Sequence, residues 1–155
     1  MAAAPTARKR WRRISVRRSN IHGKGVFATA SIAKGTRIIE YKGRRMSERA
    51  ADDQYGDGDG PHTFLFLLDD EIVIDANHGG NSARWINHGC DPNCEAVEED
   101  GRMFIEAVRD IRAGEELTYD YNLVVDERYT PAVKRQYACG CGARNCRGTM
   151  LGAKR

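Results

Sequence analysis

No apolar run in this sequence approaches the roughly 18 residues that a membrane-spanning helix requires. The opening stretch MAAAPTARKRWRR lacks the apolar centre of a secretory signal. Internal repeats and long low-complexity linkers are absent as well. Acidic residues are missing from the first 39 positions, which hold ten Lys or Arg. The remainder carries 15 basic against 22 acidic residues, a net of −7 behind an overall formal charge of +3. A basic arm therefore precedes an acidic body, and an acidic body suits a basic partner. The absences leave an intracellular chain as the expectation, cytoplasmic by default, with nucleus or chromatin open to it if RKRWRRISVRR acts in nuclear import. In a reducing compartment, clustered cysteines serve metals more often than disulfides. At 155 residues, 41% of them hydrophobic and 30% charged, the chain is long enough for one domain with a real core.

A further lack is local. YACGCGARNCRGTML, residues 137–151, brings together Cys139, Cys141 and Cys146 in the spacing C-x-C-x₄-C. That spacing suits a metal, but a tetrahedral zinc site takes four ligands and this segment supplies three. Cys90 and Cys94, in RWINHGCDPNC (Arg84 to Cys94), are both candidates for the fourth, and spacing does not choose between them.

What is present reads as a mostly β domain. ISVRRSNIHGKGVFATASIAKGTRIIEYKG alternates short β-type runs with glycine-bearing turns. SERAADDQYG is the best helical segment, with Ser47 as N-cap. YGDGDGPH reads as a loop; its Asp-Gly-Asp-Gly lacks the ligand series and closing Glu of a calcium loop. TFLFLLDDEIVIDA predicts two strands joined at Asp69-Asp70. SARWINHGCDPNCEAV predicts a helical turn followed by polar turns, RMFIEAVRDI a strand, and LTYDYN another. DERYTPAVKRQYA reads as mixed. Glu115 and Glu116, in the turn before LTYDYN, are expected to do no more than form turn and surface.

Two of these segments carry possible chemistry. In HGKG, His22 to Gly25, absent side chains would let a ligand approach the backbone, although the segment lacks the third glycine and the strand–helix setting of a dinucleotide site. In GEELTYDYN, Tyr119 and Tyr121 fall on one strand face, and Thr118 and Asp120 on the other. Two tyrosines on one face are either packing or the wall of an aromatic channel suited to a cationic guest.

Taken together, HGKGVFA, EYKG, ARWINHGCDPN, GEELTYDYN and CGCGARNCRG occur in the order of a known family. From about Ser19 to Leu151 the sequence resembles a SET-domain protein lysine methyltransferase with its cysteine-rich post-SET tail. The resemblance implies the SET fold: several small β-sheets around a knot-like crossing that joins RWINH to LTYDY, few short helices, and a zinc-held tail. It implies a division into a basic N-terminal arm (1–13), a SET domain (14–130) and a post-SET zinc-binding tail (131–155). It also gives Cys90, not Cys94, as the fourth zinc ligand beside Cys139, Cys141 and Cys146. That metal would tie the end of the chain to its middle.

The same resemblance implies S-adenosyl-L-methionine as methyl donor and Zn²⁺ as structural metal. The backbone of His22, Gly23, Lys24 and Gly25 would meet the donor's methionine portion. Asn87 and His88 would contact its amine and adenine ends, with Met150 or Leu151 covering the adenine. Phe64 stands where the family often has Tyr, keeping a stacking surface without the hydroxyl, and Gly89 stands where Ser is common. Tyr121 matches the family's essential tyrosine at the transfer site. Tyr119 matches the position that sets how many methyls are added, and Tyr41 and Phe66 would be channel walls. The expected partner is a histone tail or another basic protein, with mono- or dimethyl-lysine as main product. Two other readings compete: a non-catalytic module that keeps the cavity and binds lysine or methyl-lysine peptides, and a nucleic-acid-binding zinc protein built on the basic arm.

Overall fold

A computed structural model describes residues 13–56, 64–68, 71–124 and 128–152. The basic arm up to residue 12, most of the YGDGDGPH loop and the Asp69-Asp70 turn lie outside the described residues. Within them, strands β1 (Ile14–Arg18), β2 (Lys24–Ala28) and β3 (Arg37–Glu40) emerge from the glycine-punctuated N-terminal segment. Then come β4 (Arg44–Ser47), α1 (Glu48–Tyr55), β5 (Leu65–Leu67), β6 (Ile72–Asp75) and a 3₁₀ turn (Ser82–Trp85). Strands β7 (Asn87–His88), β8 (Cys94–Glu99), β9 (Arg102–Ala107) and β10 (Thr118–Tyr119) follow, and helix α2 (Pro131–Gln136) opens the tail.

The strands form four small sheets: β1-β2, β3-β9-β8, β4-β6-β5 and β10-β7. All pairs are antiparallel except β7 with β10, which run parallel with Thr118 opposite Asn87 and Tyr119 opposite His88. The mostly β architecture with few short helices thus matches the expectation, and RWINH and LTYDY are indeed neighbours. Val26, Ile32, Ile74, Ile86, Ile105, Ile111 and Leu117 are each at most 1% exposed and fill the core between the sheets. Burying each such side chain stabilises the fold by about 1.5–3 kcal/mol.

Local chemistry explains most boundaries. The Ser47 hydroxyl accepts from the Ala50 N–H and starts α1 where the sequence placed it. The expected β5–β6 hairpin is present, with Leu65 opposite Asp75. Two segments differ from their predicted form, and a third, read as mixed, contains a short helix. LTYDYN is a strand only at Thr118–Tyr119, because the Asp120 carboxylate accepts from the Asn122 N–H and Asn122 turns to φ 48°. The stretch after Asp91-Pro92, expected to stay in turns, becomes β8 at Cys94. DERYTPAVKRQYA contains a helix capped by Thr130, whose hydroxyl accepts from the Val133 N–H, with Pro131 in its first turn.

Candidate functional site

The parallel β7–β10 pair sets two consecutive polar residues, Asn87 and His88, into the interior at 3% and 1% exposure. Both ring nitrogens of His88 and the amide nitrogen of Asn87 are engaged. The Asn87 Nδ2 lies within hydrogen-bond distance of four acceptors: Lys24 O at 3.0 Å, His22 O at 3.2 Å, Ser19 Oγ at 3.1 Å and Glu116 Oε2 at 2.9 Å. The HGKG backbone is thereby docked onto ARWINH. The Glu116 carboxylate also accepts from the Ser19 hydroxyl at 2.8 Å. This corrects the reading of Glu116 as turn and surface: it is the hub that joins three distant segments. Gly25 leaves the room that the carboxylate occupies: a Cβ there would overlap Glu116 Oε2 and displace it. Gly89 is likewise confined, a Cβ there falling 2.8 Å from Thr118 Cβ on the paired strand. Asn93 clamps the same region from the other side, donating to Glu116 O at 2.8 Å and accepting from the Thr118 N–H at 2.9 Å.

His88 reads out its own tautomer. Its Nδ1 accepts from the Tyr121 N–H at 3.0 Å, so the proton sits on Nε2, which faces Cys90 Sγ at 3.4 Å. Burial, opposed by Asp120 and reinforced by Arg147, pushes the imidazole down to about 4 and keeps the ring neutral.

Aromatic rings continue from this point in one row. His88 meets the Tyr121 ring edge-on at 5.4 Å between centroids, and Tyr121 lies 4.9 Å from Tyr119. Tyr119 stacks on Phe66 at 6.2 Å, and Phe66 lies 5.2 Å from Tyr41. The Tyr121 hydroxyl donates to Ile86 O at 2.5 Å. Burial drives the phenols of Tyr41, Tyr119 and Tyr121 well above their ordinary value, so all three stay protonated. The Tyr119 hydroxyl has no hydrogen-bond partner among the described residues, which leaves it available to a guest. Beside the row, Phe64, held at φ 59°, packs edge-on against Trp85 at 5.0 Å, and Lys24 Nζ sits 4.8 Å over the same Trp85 ring.

The four thiols converge at the other end of His88. Cys90, Cys139, Cys141 and Cys146 have their sulfurs all within 4.8 Å of one another. Cys90 Sγ lies 3.8 Å from Cys139 Sγ and 3.9 Å from Cys146 Sγ. A tetrahedral zinc with Zn–S bonds of ~2.3 Å separates its sulfurs by about 3.8 Å, so the donor set and its dimensions fit that ion. The Arg147 N–H points at Cys90 Sγ and the Gly148 N–H at Cys146 Sγ, each at 3.4 Å, as ligating thiolates require. Cys94 stands apart: it is 1% exposed in the apolar core, where burial pushes its thiol up to about 12. Arg147 fastens the tail further through a two-point bond to Asp120, at 2.8 and 3.1 Å. Met150 and Leu151 are buried where the tail returns to the body, Leu151 bridging to Leu123.

The structure therefore gathers Asn87, His88, Tyr119, Tyr121, Tyr41, Phe66 and the His22–Gly25 backbone into one region, with the four cysteines adjoining it. Sequence reasoning passed over Ser19, Trp85, Asn93 and Glu116. Trp85 was within reach, as a large aromatic beside the flagged Asn-His pair; the other three announce themselves only through distant partners.

A SET-domain family model matches residues 23–122, well over half of the chain. The chain belongs to the SET-domain family, and its four-thiol cluster fits a post-SET tail. Among curated relatives it is 39% identical over 140 residues to Histone-lysine N-methyltransferase trithorax of Drosophila virilis, covering 86% of this chain and 4% of that protein. It is 41% identical over 142 residues to the Schizosaccharomyces pombe protein named Histone-lysine N-methyltransferase, H3 lysine-4 specific, covering 85% and 14%. It is 40% identical over 147 residues to Histone-lysine N-methyltransferase TRX1 of Oryza sativa subsp. japonica, covering 90% and 14%. The chain thus spans only 4% to 14% of the length of these relatives. No helix among the described residues is long and apolar enough to cross a membrane.

Proposed function

We propose that this chain is an S-adenosylmethionine-dependent protein-lysine N-methyltransferase. It acts on a histone tail or another basic protein and makes mainly mono- or dimethyl-lysine. The observation that carries the proposal is the unbroken row Tyr41–Phe66–Tyr119–Tyr121, which ends at the Asn87–His88 pair. A row of ring faces suits a cationic, slender side chain. Its inner end adjoins the polar residues best placed to orient a donor.

When bound, S-adenosylmethionine supplies an electrophilic methyl group on a sulfonium. The chain's residues do the rest. Lysine enters as an ammonium with a pKa near ~10.4, which cannot attack. Burial among Tyr41, Phe66 and Tyr119 disfavours the charged form and promotes loss of the proton. Alignment by the rings can lower the barrier by several kcal/mol. The Tyr121 hydroxyl, anchored on Ile86 O, lies at the transfer point, and the Tyr119 hydroxyl holds the amine and limits room for further methyls. Asn87, the His22–Gly25 backbone and Phe64 hold the donor, with His88, Met150 and Leu151 toward the adenine. Cys90, Cys139, Cys141 and Cys146 would hold the zinc, and with it the tail from Pro131 to Gly152 against the site.

The test is transfer of a labelled methyl group to a panel of histones and to cell extract, with Tyr121→Phe as control. Labelled lysine in the wild type and a signal lower by roughly 10²–10³-fold in the variant is the expected result. Donor binding without transfer to any protein would favour the peptide-binding module instead.

A further inference from the structure

Glu116 is a half-buried carboxylate that has neutral hydrogen-bond donors and, among the described residues, no cationic partner. Its position is rigid. The Glu116 carbonyl accepts from Asn93 Nδ2, the residue bridges to Phe27 on β2, and the next residue, Leu117, donates its N–H to Val26 O. The nearest cation of the flagged loop, Lys24, is turned away over the Trp85 ring. A fixed negative charge without a counter-ion favours a positive ligand bound beside it.

The carboxylate also decides how Asn87 is oriented. With Glu116 Oε2, Ser19 Oγ and the carbonyls of His22 and Lys24 around it, this end of the carboxamide must be the NH₂; the reverse flip would set its oxygen against acceptors. Asn87 Oδ1 is left as the one acceptor of that side chain facing elsewhere.

We propose that Glu116 is a positioning residue for the methyl donor: it locks Asn87 with Oδ1 toward the donor's ammonium and makes the site favour the cationic donor over its neutral thioether product. The inference rests on the methyltransferase reading. The donor carries a sulfonium, an ammonium and a carboxylate, a net charge of +1, whereas S-adenosylhomocysteine has lost the sulfonium charge and is neutral overall. A fixed carboxylate therefore discriminates between them by one unit of charge, and this hastens exchange of product for donor. Glu116 also bears on the Tyr121 phenol, adding to the larger upward push of burial and of Tyr41.

Calorimetry on wild type and Glu116→Gln with both ligands tests this. Gln keeps the size and an acceptor oxygen for Ser19 and Asn87, so a thermal melt close to wild type is expected. Its Kd for S-adenosylmethionine should rise about tenfold while that for S-adenosylhomocysteine changes less than about twofold. Glu116→Ala, which loses the lock as well, should weaken both ligands. Equal weakening of the two ligands in Glu116→Gln, or no change in either, overturns the inference. Wild type that binds neither ligand overturns the methyltransferase reading itself.

Discussion

The two halves of the site are held by different forces. Asn87 and Tyr119 sit on strands packed against buried isoleucines and leucines, with Tyr121 just beyond the second, and their side chains are fixed by hydrogen bonds and ring packing within residues 13–124. The cysteine half is thinly covered. Helix α2 buries none of its residues, and Cys139, Cys141 and Cys146 sit in loop, fastened to the body by Cys90, the Arg147–Asp120 pair and the Leu123–Leu151 bridge. One half relies on excluded water, the other on four thiols. A site divided in this way should fail in two separable manners.

The largest effect should come from Cys90→Ser. One zinc per chain is expected in the wild type, none in this variant, and methyl transfer should vanish while the core's melting transition persists. Elemental analysis, activity and hydrogen exchange of residues 137–151 check the three parts. Cys94→Ser is its counterpart: metal should stay, and a hydroxyl replacing a core thiol should cost about 1–3 kcal/mol of stability. Equal metal content in the two variants would erase the distinction between the halves. Tyr121→Phe comes next, on the other side of the comparison. Turnover should fall roughly 10²–10³-fold, as for loss of a hydrogen-bonding group at a reacting centre, with donor affinity and zinc unchanged.

Asn87→Ala should weaken donor binding by on the order of 1.5–3 kcal/mol, again with zinc retained, and calorimetry measures it directly. A smaller change is expected of Tyr119→Phe, a shift in product rather than a loss: mass spectrometry of a single-lysine peptide should show more di- or trimethyl-lysine than the wild type makes. Deleting residues 1–13 should do least, leaving peptide turnover nearly intact, since no matched motif lies there. A collapse with the core still folded would place the arm in the site.

Much of this was legible in the chain because it is written locally. Ser47 before an alanine-rich run, the two apolar runs of β5 and β6 on either side of Asp69-Asp70, and the paired Tyr119 and Tyr121 each declare themselves within a few positions. Helix α2 was legible in principle, from Thr130-Pro131 before Lys134 and Arg135, but six residues give little periodicity. Strand β8 was hidden because Glu95, Glu98 and Glu99 lower its β character; as an edge strand it tolerates them. Glu116 was illegible for another reason. Its partners Ser19 and Asn87 are 97 and 29 positions away, and no window of sequence contains the arrangement. Cys90 was separated from Cys94 by resemblance alone, and the structure adds the physical reason: one thiol meets three others, the other is buried in the hydrophobic core.

The bond between Ser19 and Glu116 also governs when the site comes into being. The first of the flagged loops to leave the ribosome cannot take its final shape until a residue 97 positions later arrives, and closing a loop of that length is entropically slow. The parallel β7–β10 pair depends on the same late segment. Helix α1 and the β5–β6 hairpin, built from near neighbours, can form early and wait. Folding should therefore show a fast phase for local structure and a slow one for donor binding. A nascent chain halted before Thr118 would hold much of the scaffold and none of the binding competence.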